Sequence, residues 1–193
     1  MTRAVQLSAK SVEHYGPWFL GDMVRDVFGG PIHLDPASST QANLLIGAER
    51  IYTEADNGLT RTWFGNVYLN PPGGRVKYGK KKVNSAALWY ATLAHRFTAG
   101  LLTQAVFMVF NLELFRYAQG FQVRQPASFP LCYPKTRIDF WKPGPDGFPV
   151  EQGSPGHPNA LIYMGPHADR FKSVFSAPRP GTDWQGGEIV ERE

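Results

Sequence analysis

Cysteine is nearly absent from this chain of 193 residues, in which Cys132 is the single occurrence. One cysteine excludes an internal disulfide framework and any zinc site built from several thiolates. Long apolar runs are also missing, because none approaches the roughly 18 residues that a membrane span requires. The first residues contain no apolar segment of the signal-peptide type. We therefore expect a cytoplasmic protein that makes no use of the membrane.

Charged side chains are also scarce, at 19% of the residues, compared with roughly 25% in an average globular protein. Hydrophobic residues make up 42% and aromatic residues 13%, which is enough apolar surface for a core and excludes a disordered chain. The length predicts a single domain over residues 1–176, followed by a loose C-terminal tail over 177–193. Length and composition do not distinguish a monomer from a homodimer.

Apolar periodicity predicts alternating helices and strands. Helices are expected at 18–28, 41–50, 84–98, 112–119 and 169–176, and strands at 32–35, 66–70 and 104–110. Two later strand-like runs, 136–141 and 159–164, predict an antiparallel pair joined by a long loop. The pattern as a whole predicts an α/β fold with a mainly parallel sheet flanked by helices and a late antiparallel hairpin. Ligands bind such sheets at the carboxyl ends of the strands, which directs attention to Asp35 and Asn70.

A rigid polar motif ends the strand predicted at 66–70. It consists of Asn70, Pro71 and Pro72, and its two prolines stiffen the backbone and remove two amide donors. The remaining carbonyl oxygens and the Asn70 amide form a notch of acceptors that suits an NH2 group with two donors. Accepting those hydrogens favours attack by the amine lone pair on an electrophilic methyl group. The simpler interpretation is a strand terminator.

Three weaker patterns accompany this motif. Asp35 ends another predicted strand and precedes small residues, so its carboxylate could bind the ammonium or ribose hydroxyls of a small cofactor. Asp56, at the start of an Asp-Asn-Gly turn, could accept a hydrogen bond from an adenine amino group. Tyr15 precedes the first helix and could line a pocket. Each residue also has an ordinary interpretation as part of a turn, a helix cap or a surface loop.

Positive charge is concentrated in one segment of a chain whose net charge is +4. Residues 75–82 contain no acidic side chain and five basic ones: Arg75, Lys77, Lys80, Lys81 and Lys82. Such a cluster can neutralise phosphates and release counterions, as nucleic-acid-binding segments do. On charge alone, a solvated loop is the alternative.

Taken together, these segments resemble the phage-type DNA N6-adenine methyltransferases, which belong to the Rossmann-like enzymes that use S-adenosylmethionine. SVEHYGP at 11–17 is similar to the opening segment of the family, usually closer to S-x-E-W-Y-T-P. LDPAS at 34–38 is similar to a shortened form of its first cofactor motif, and the spacing through DNGL to Asn-Pro-Pro matches. RIDFW followed by PNALIYM resembles its closing segment. The resemblance runs from about Ser11 to Met164.

The resemblance implies a Rossmann-like methyltransferase fold, DNA as the partner, S-adenosylmethionine as the cofactor and no metal. It also implies the cytoplasm of a bacterial host, if the protein is phage-encoded, and a role of the restriction-modification type. The catalytic residues that it implies are Asn70, Pro71 and Pro72. The implied cofactor-binding residues are Tyr15, Gly16, Pro17, Asp35, Pro36, Ala37, Ser38 and Asp56. The implied nucleic-acid-binding residues are Arg75, Lys77, Tyr78, Lys80, Lys81 and Lys82.

Several departures from the family pattern keep alternatives open. Gly73 stands where the family usually has an aromatic residue that stacks on the flipped base, so Tyr78 or Phe110 is expected to replace it. Gly16 stands where the family usually has a threonine, and Glu54 is the residue considered for the ribose contact. Sequence recognition would come from residues 75–82 and 143–158. The alternatives are methylation of another amine or amide (cytosine N4, RNA or protein glutamine), and a catalytically decayed DNA-binding relative.

Overall fold

The computed structural model describes residues 14–153 and 156–191. The helices within these residues are α1 (Trp18–Phe28), α2 (Thr40–Ile46), α3 (Ser85–Thr98), α4 (Glu113–Ala118) and α5 (Ala168–Ser176). The strands are β1 (Leu34–Asp35), β2 (Arg50–Ile51), β3 (Asn66–Leu69), β4 (Arg75–Tyr78), β5 (Lys81–Asn84), β6 (Gln104–Val109), β7 (Leu131–Pro134), β8 (Phe140–Pro143), β9 (Pro149–Gly153), β10 (Ala160–Met164) and β11 (Gly187–Val190). Short 3-10 turns occur at Glu54–Asp56, Gly58–Thr60 and Pro126–Ser128.

Seven strands form the central sheet, in the order β11-β7-β10-β6-β3-β1-β2. The strands β2, β1, β3 and β6 are parallel to one another. The other three pairings are antiparallel: β10 with β6, β7 with β10, and β11 with β7. The fold is therefore α/β, with a mixed sheet whose core is mostly parallel and which helices flank, as the sequence predicted.

Helices cover both faces of this sheet. One apolar layer packs α1, α2 and α5 against one face, and a second packs α3 and α4 against the other. Every residue of β6 is buried, as its continuous apolar run predicted for a strand covered on both sides. Within the described residues, no helix combines the length and the apolar character needed to cross a bilayer.

The chain order reverses at β1, and this reversal creates a crevice. From β1 the chain moves outward to β2 and then returns to the opposite side of β1 to form β3. Leu34 of β1 pairs with Val67 of β3, so the two strands end at the same edge of the sheet. Open α/β sheets bind ligands outside the carboxyl ends of the strands at such a switch point. Asp35 and Asn70 stand at these two strand ends.

The late antiparallel pair predicted between 136–141 and 159–164 is wrong. Residues 140–143 instead pair with 149–153 in a separate two-stranded sheet, while β10 lies between β6 and β7 in the central sheet. The physical reason is burial. All five residues of β10 are buried, so the strand needs neighbours along both edges and helices over both faces, whereas β8 and β9 carry exposed polar side chains.

The expectation of a loose tail over 177–193 is also wrong for the part that the structure describes. Residues 187–190 form β11, which pairs with all four residues of β7 and completes the edge of the sheet. Trp184 is buried, and its ring lies edge-on to Phe175 of α5 with 5.6 Å between the ring centroids. An aromatic side chain of this size buries enough apolar area to hold a short segment in place.

We expect Trp184→Ala to destabilise the protein by about 3–5 kcal/mol, because it removes a large side chain that is only 3% exposed. Chemical denaturation measured by circular dichroism gives the free energy of unfolding. Phe148→Ala is the control, since Phe148 is 67% exposed and its loss should change stability by less than about 0.5 kcal/mol. Equal stability of Trp184→Ala and the unsubstituted protein would show that the tail does not contribute to the core.

Candidate active site

A cavity of about 820 Å³ opens at the carboxyl ends of β1 and β3. Its volume lies within the range of roughly 300–1,000 Å³ that is usual for small-molecule and cofactor sites. Of the residues predicted from the sequence, its wall contains Asn70, Pro71, Pro72, Tyr15, Gly16, Asp35, Pro36, Ala37, Ser38 and Arg75. The structure therefore brings the Asn-Pro-Pro motif and the segment after β1 to a single cavity.

The Asn70 side chain is held in one orientation by the main chain of the segment that precedes α1. Its Nδ2 donates a hydrogen bond to the carbonyl oxygen of His14 over 2.7 Å. A carbonyl can only accept, so the amide nitrogen must face His14 and Oδ1 is left as the acceptor. Among the described residues, none donates a hydrogen bond to Oδ1. The arrangement leaves Asn70 able to accept a hydrogen bond from a ligand.

Asp35 is a buried carboxyl group with little compensation from its surroundings. The residue is 2% exposed, and burial raises its pKa to about 7, against the opposing effects of hydrogen bonds from the Ala37 amide and the Ser38 side chain. The Ala37 amide donates to Oδ1 over 3.1 Å. A carboxylate this well buried is stabilised when a cation or additional donors approach it.

Two predicted cofactor residues do not line the cavity. The Asp56 carboxylate accepts hydrogen bonds from the amide and the hydroxyl of Thr53, at 2.9 and 2.8 Å, and these bonds lower its pKa. It therefore caps a 3-10 turn, while Glu54 and Asn57 of the same stretch line the cavity instead. Pro17 is buried and lines a second, separate depression. The Asp-Asn-Gly motif located the loop that borders the cavity, but within that loop Glu54, which the sequence offered for the ribose contact, lies on the wall and Asp56 does not.

The turn after Asp56 packs directly against the segment that follows β1. A Cβ atom at Gly58 would lie 1.9 Å from the carbonyl oxygen of Pro36, so only glycine permits this approach. The Gly58 carbonyl in turn accepts a hydrogen bond from Trp63 Nε1 over 2.8 Å. These contacts fix one wall of the cavity. The close approach explains why the third residue of the Asp-Asn-Gly turn is glycine.

The structure adds two aromatic residues to the cavity wall that sequence reasoning did not select. Tyr68 of β3 and Trp89 of α3 both line the cavity, and their Oη and Nε1 atoms are buried without a hydrogen-bond partner among the described residues. Trp89 also stacks on Trp63, with 5.9 Å between the ring centroids. The one available signal for Tyr68 was a hydroxyl between two apolar residues of β3, since buried tyrosines usually find a partner.

Of the two aromatic residues considered as replacements for the one missing at Gly73, Phe110 lines the cavity. Its ring stacks on that of His14, with 4.7 Å between centroids and 24° between planes. Burial lowers the pKa of His14, which favours the uncharged ring. Tyr78 is 54% exposed and is not part of the cavity wall.

The basic segment predicted as a loop is a two-stranded ribbon formed by β4 and β5. Lys77 lies directly opposite Lys82 in its register, and Tyr78 opposite Lys81. Arg75 lines the cavity, while Lys77 and Lys80 through Lys82 are exposed. Like charges opposite one another destabilise a strand pair, so the ribbon carries an electrostatic cost that an anionic partner relieves. We refer to residues 75–84 as the basic ribbon.

A group of three carboxylates lies outside this cavity. Asp139, Glu151 and Asp183 each place an oxygen within 4.8 Å of the others, along the second depression of about 360 Å³. Arg137 lines the same depression, so a cationic side chain is already close to the carboxylates. No spacing in the sequence indicated this cluster, because its members come from three distant segments.

The cavity can hold a small organic molecule between a buried carboxyl group and an acceptor notch. Asp35 suits a cationic or hydroxyl group, and Asn70 Oδ1 with the carbonyl groups of the prolines suits a primary amine or amide. No protein-family model, curated protein or solved structure was found to match the chain.

We expect Asp35→Asn to raise the stability of the ligand-free protein at pH 8 but not at pH 4. The folded-state pKa of Asp35, about 7, exceeds the unfolded value of 3.8. The stability that protonated Asp35 contributes is therefore fully present below about pH 4 and is lost as the pH rises through 7. The variant lacks this loss, and the difference should approach roughly 4 kcal/mol at pH 8.

Urea denaturation of both proteins between pH 4 and pH 8 measures that difference. Groups that titrate alike in both proteins cancel in the comparison, and the groups that interact with Asp35, which are the Ala37 amide and the hydroxyls of Ser38 and Tyr68, do not titrate between pH 4 and pH 8. A stability difference that does not vary with pH would mean that the Asp35 carboxyl ionises normally.

Proposed function

We propose that this protein transfers a methyl group from S-adenosylmethionine to the N6 amino group of adenine in DNA. The observation that carries the proposal is the position of Asp35 and Asn70 on the wall of one cavity, at the ends of two adjacent parallel strands. Asp35 suits a charged cofactor, and Asn70 suits an amine substrate. The sequence resemblance supplies the specific cofactor and substrate.

The residues present fit this cofactor. The cavity volume of about 820 Å³ is sufficient for a nucleoside bearing an amino-acid chain, and its wall contains a buried carboxyl group and two buried polar atoms without partners. Asp35 would receive the amino-acid or ribose part, while Glu54 and Asn57 lie where the ribose or adenine could be bound. When bound, S-adenosylmethionine supplies an electrophilic methyl group on a sulfonium centre.

The acceptor notch would prepare the amine for attack. Asn70 Oδ1 and the main-chain carbonyl of Pro71 can each accept one hydrogen of an NH2 group, which directs its lone pair towards the cavity. The hydrogen bond from Asn70 Nδ2 to His14 means that this acceptor is oriented before the substrate arrives. Most of the rate enhancement then comes from proximity and orientation.

The surroundings of the notch support DNA as the substrate. A base buried in a duplex has to be extruded before its amino group can reach a cavity, at a cost of a few kcal/mol. Phe110 and His14 offer stacking surfaces beside Asn70, and the basic ribbon begins at the cavity wall with Arg75. Contacts between the ribbon and phosphates can offset the cost of extrusion.

We expect Asn70→Ala to lower the rate of methyl transfer by at least about 100-fold, because one oriented acceptor is lost at the reacting amine. The measurement uses S-adenosylmethionine with a labelled methyl group and DNA, followed by digestion to nucleosides. Binding of S-adenosylhomocysteine by calorimetry should change less than about twofold, which shows that the variant keeps its cofactor site. Unchanged transfer would remove Asn70 from the mechanism.

The same assay, run with separate pools of DNA, RNA and protein, decides the substrate class. Label in N6-methyladenine of DNA supports the proposal, whereas label in N4-methylcytosine, RNA or protein glutamine assigns another acceptor. Cofactor binding without transfer to any pool, or no binding at all, would identify a DNA-binding relative that has lost catalysis.

We expect reversal of charge at Lys80, Lys81 and Lys82, each to Glu, to weaken DNA binding and to make its salt dependence shallower. Each lost phosphate contact lowers the slope of log K against log salt by about 0.9, so a change of roughly one to three units is expected. Fluorescence anisotropy with a labelled duplex gives the slope.

The matched control reverses Lys135 and Lys172, which are exposed but do not line the cavity. That double variant should retain the slope of the unsubstituted protein to within about half a unit. An unchanged slope for the triple ribbon variant would show that the basic ribbon does not contact phosphates.

A further inference from the structure

Tyr68 lines the cavity and carries a buried hydroxyl that the fold itself does not satisfy. The residue is fully buried in β3, and its Oη has no hydrogen-bond partner among the described residues. Leaving a buried hydroxyl without a partner is unfavourable, and native proteins contain few such groups. A hydroxyl retained in these surroundings calls for a partner that arrives from outside the chain.

The Gly16 side of this hydroxyl offers it no side-chain partner. A Cβ atom at Gly16 would lie 2.7 Å from Tyr68 Oη, 3.5 Å from a methyl group of Leu20 and 3.6 Å from one of Ile46. The hydroxyl therefore has a glycine backbone and aliphatic side chains near it. The absence of a side chain at Gly16 leaves the space that the Tyr68 hydroxyl occupies. This close approach explains a glycine at position 16.

Asp35 is close enough to influence Tyr68 electrostatically. Burial and the negative charge of Asp35 together raise the pKa of the Tyr68 hydroxyl, which therefore stays protonated. Among the described residues of the cavity wall, the basic ones are His14 and Arg75, and Arg75 donates a hydrogen bond to the carbonyl of Lys82 on the exposed ribbon. The region shared by Asp35 and Tyr68 thus offers oxygen atoms and no cationic side chain.

We infer that Tyr68 Oη and the Asp35 carboxylate form a subsite for a primary ammonium group of the ligand. Both oxygens can accept N–H hydrogen bonds, and the positive charge of the ammonium group would balance the negative charge of the buried carboxylate. The inference rests on the proposed function, in which this group is the α-ammonium of the amino-acid part of the cofactor. Tyr68 is thereby a binding residue rather than a packing residue of β3.

Calorimetry with two probes tests the subsite: S-adenosylhomocysteine, and its analogue that lacks the α-amino group. Tyr68→Phe should weaken binding of S-adenosylhomocysteine by about tenfold, because one hydrogen bond to a charged group is lost. Binding of the deaminated analogue should change by less than about twofold, since that analogue makes no such bond. Equal weakening for both probes would overturn the ammonium assignment.

Thermal unfolding of the ligand-free proteins provides a readout that does not depend on activity. The midpoint for Tyr68→Phe should be equal to or above that of the unsubstituted protein, because the removed hydroxyl has no partner to lose. Tyr163→Phe is the matched control: this fully buried tyrosine donates to Gln104 over 2.9 Å and accepts from the His167 amide over 3.0 Å. It should lower the midpoint and leave the affinity for both probes unchanged.

The outcomes separate the two claims. If the unsubstituted protein binds neither probe, the proposed function fails and the ammonium subsite fails with it. If it binds both probes but Tyr68→Phe affects them equally, only the subsite is wrong. A midpoint for Tyr68→Phe that falls as far as that of Tyr163→Phe would show that the hydroxyl already has a partner, such as a buried water, and would overturn the inference.

Discussion

The parallel pairing of β1 with β3 is the constraint on which the candidate site depends. Because Leu34 lies opposite Val67, both strands end at the same edge of the sheet, and the side chains that follow them meet at one cavity. A shift of one residue in this register would turn every side chain of one strand to the opposite face. The apolar layers on the two faces of the sheet fix the register, so the core of the protein also sets the geometry of the site.

The cavity wall combines features that disfavour the ligand-free state. Asp35 is a buried carboxyl group with a raised pKa, and Tyr68 Oη and Trp89 Nε1 are buried without partners among the described residues. Each such group costs stability until a ligand satisfies it, and the two well-packed layers of the sheet provide the stability that tolerates this cost. Binding sites commonly show this opposition between stability and function.

The segment before α1 connects the two halves of the site. The carbonyl of His14 orients Asn70, its ring stacks on Phe110, and the hydroxyl of Tyr15 accepts a hydrogen bond from Ser39 beside the loop that follows β1. The main chain of Tyr15 also forms hydrogen bonds in both directions with Trp141 of the β8–β9 sheet. A short stretch of chain therefore holds the acceptor notch, the stacking surface and the Asp35 side of the cavity in one arrangement.

Local patterns in the sequence determined the helices, the buried parallel strands and the two strand ends that carry Asp35 and Asn70, since periodicity and proline or glycine stops act over a few residues. Only the tertiary structure decided that β10 is an interior strand, that residues 187–190 join the sheet, and that Asp56 caps a turn while its neighbours line the cavity. It also decided the surroundings of the Tyr68 hydroxyl, which lies close to Gly16 and Asp35. Pairing partners and unsatisfied atoms arise between segments that are distant in the chain, and no local pattern encodes them.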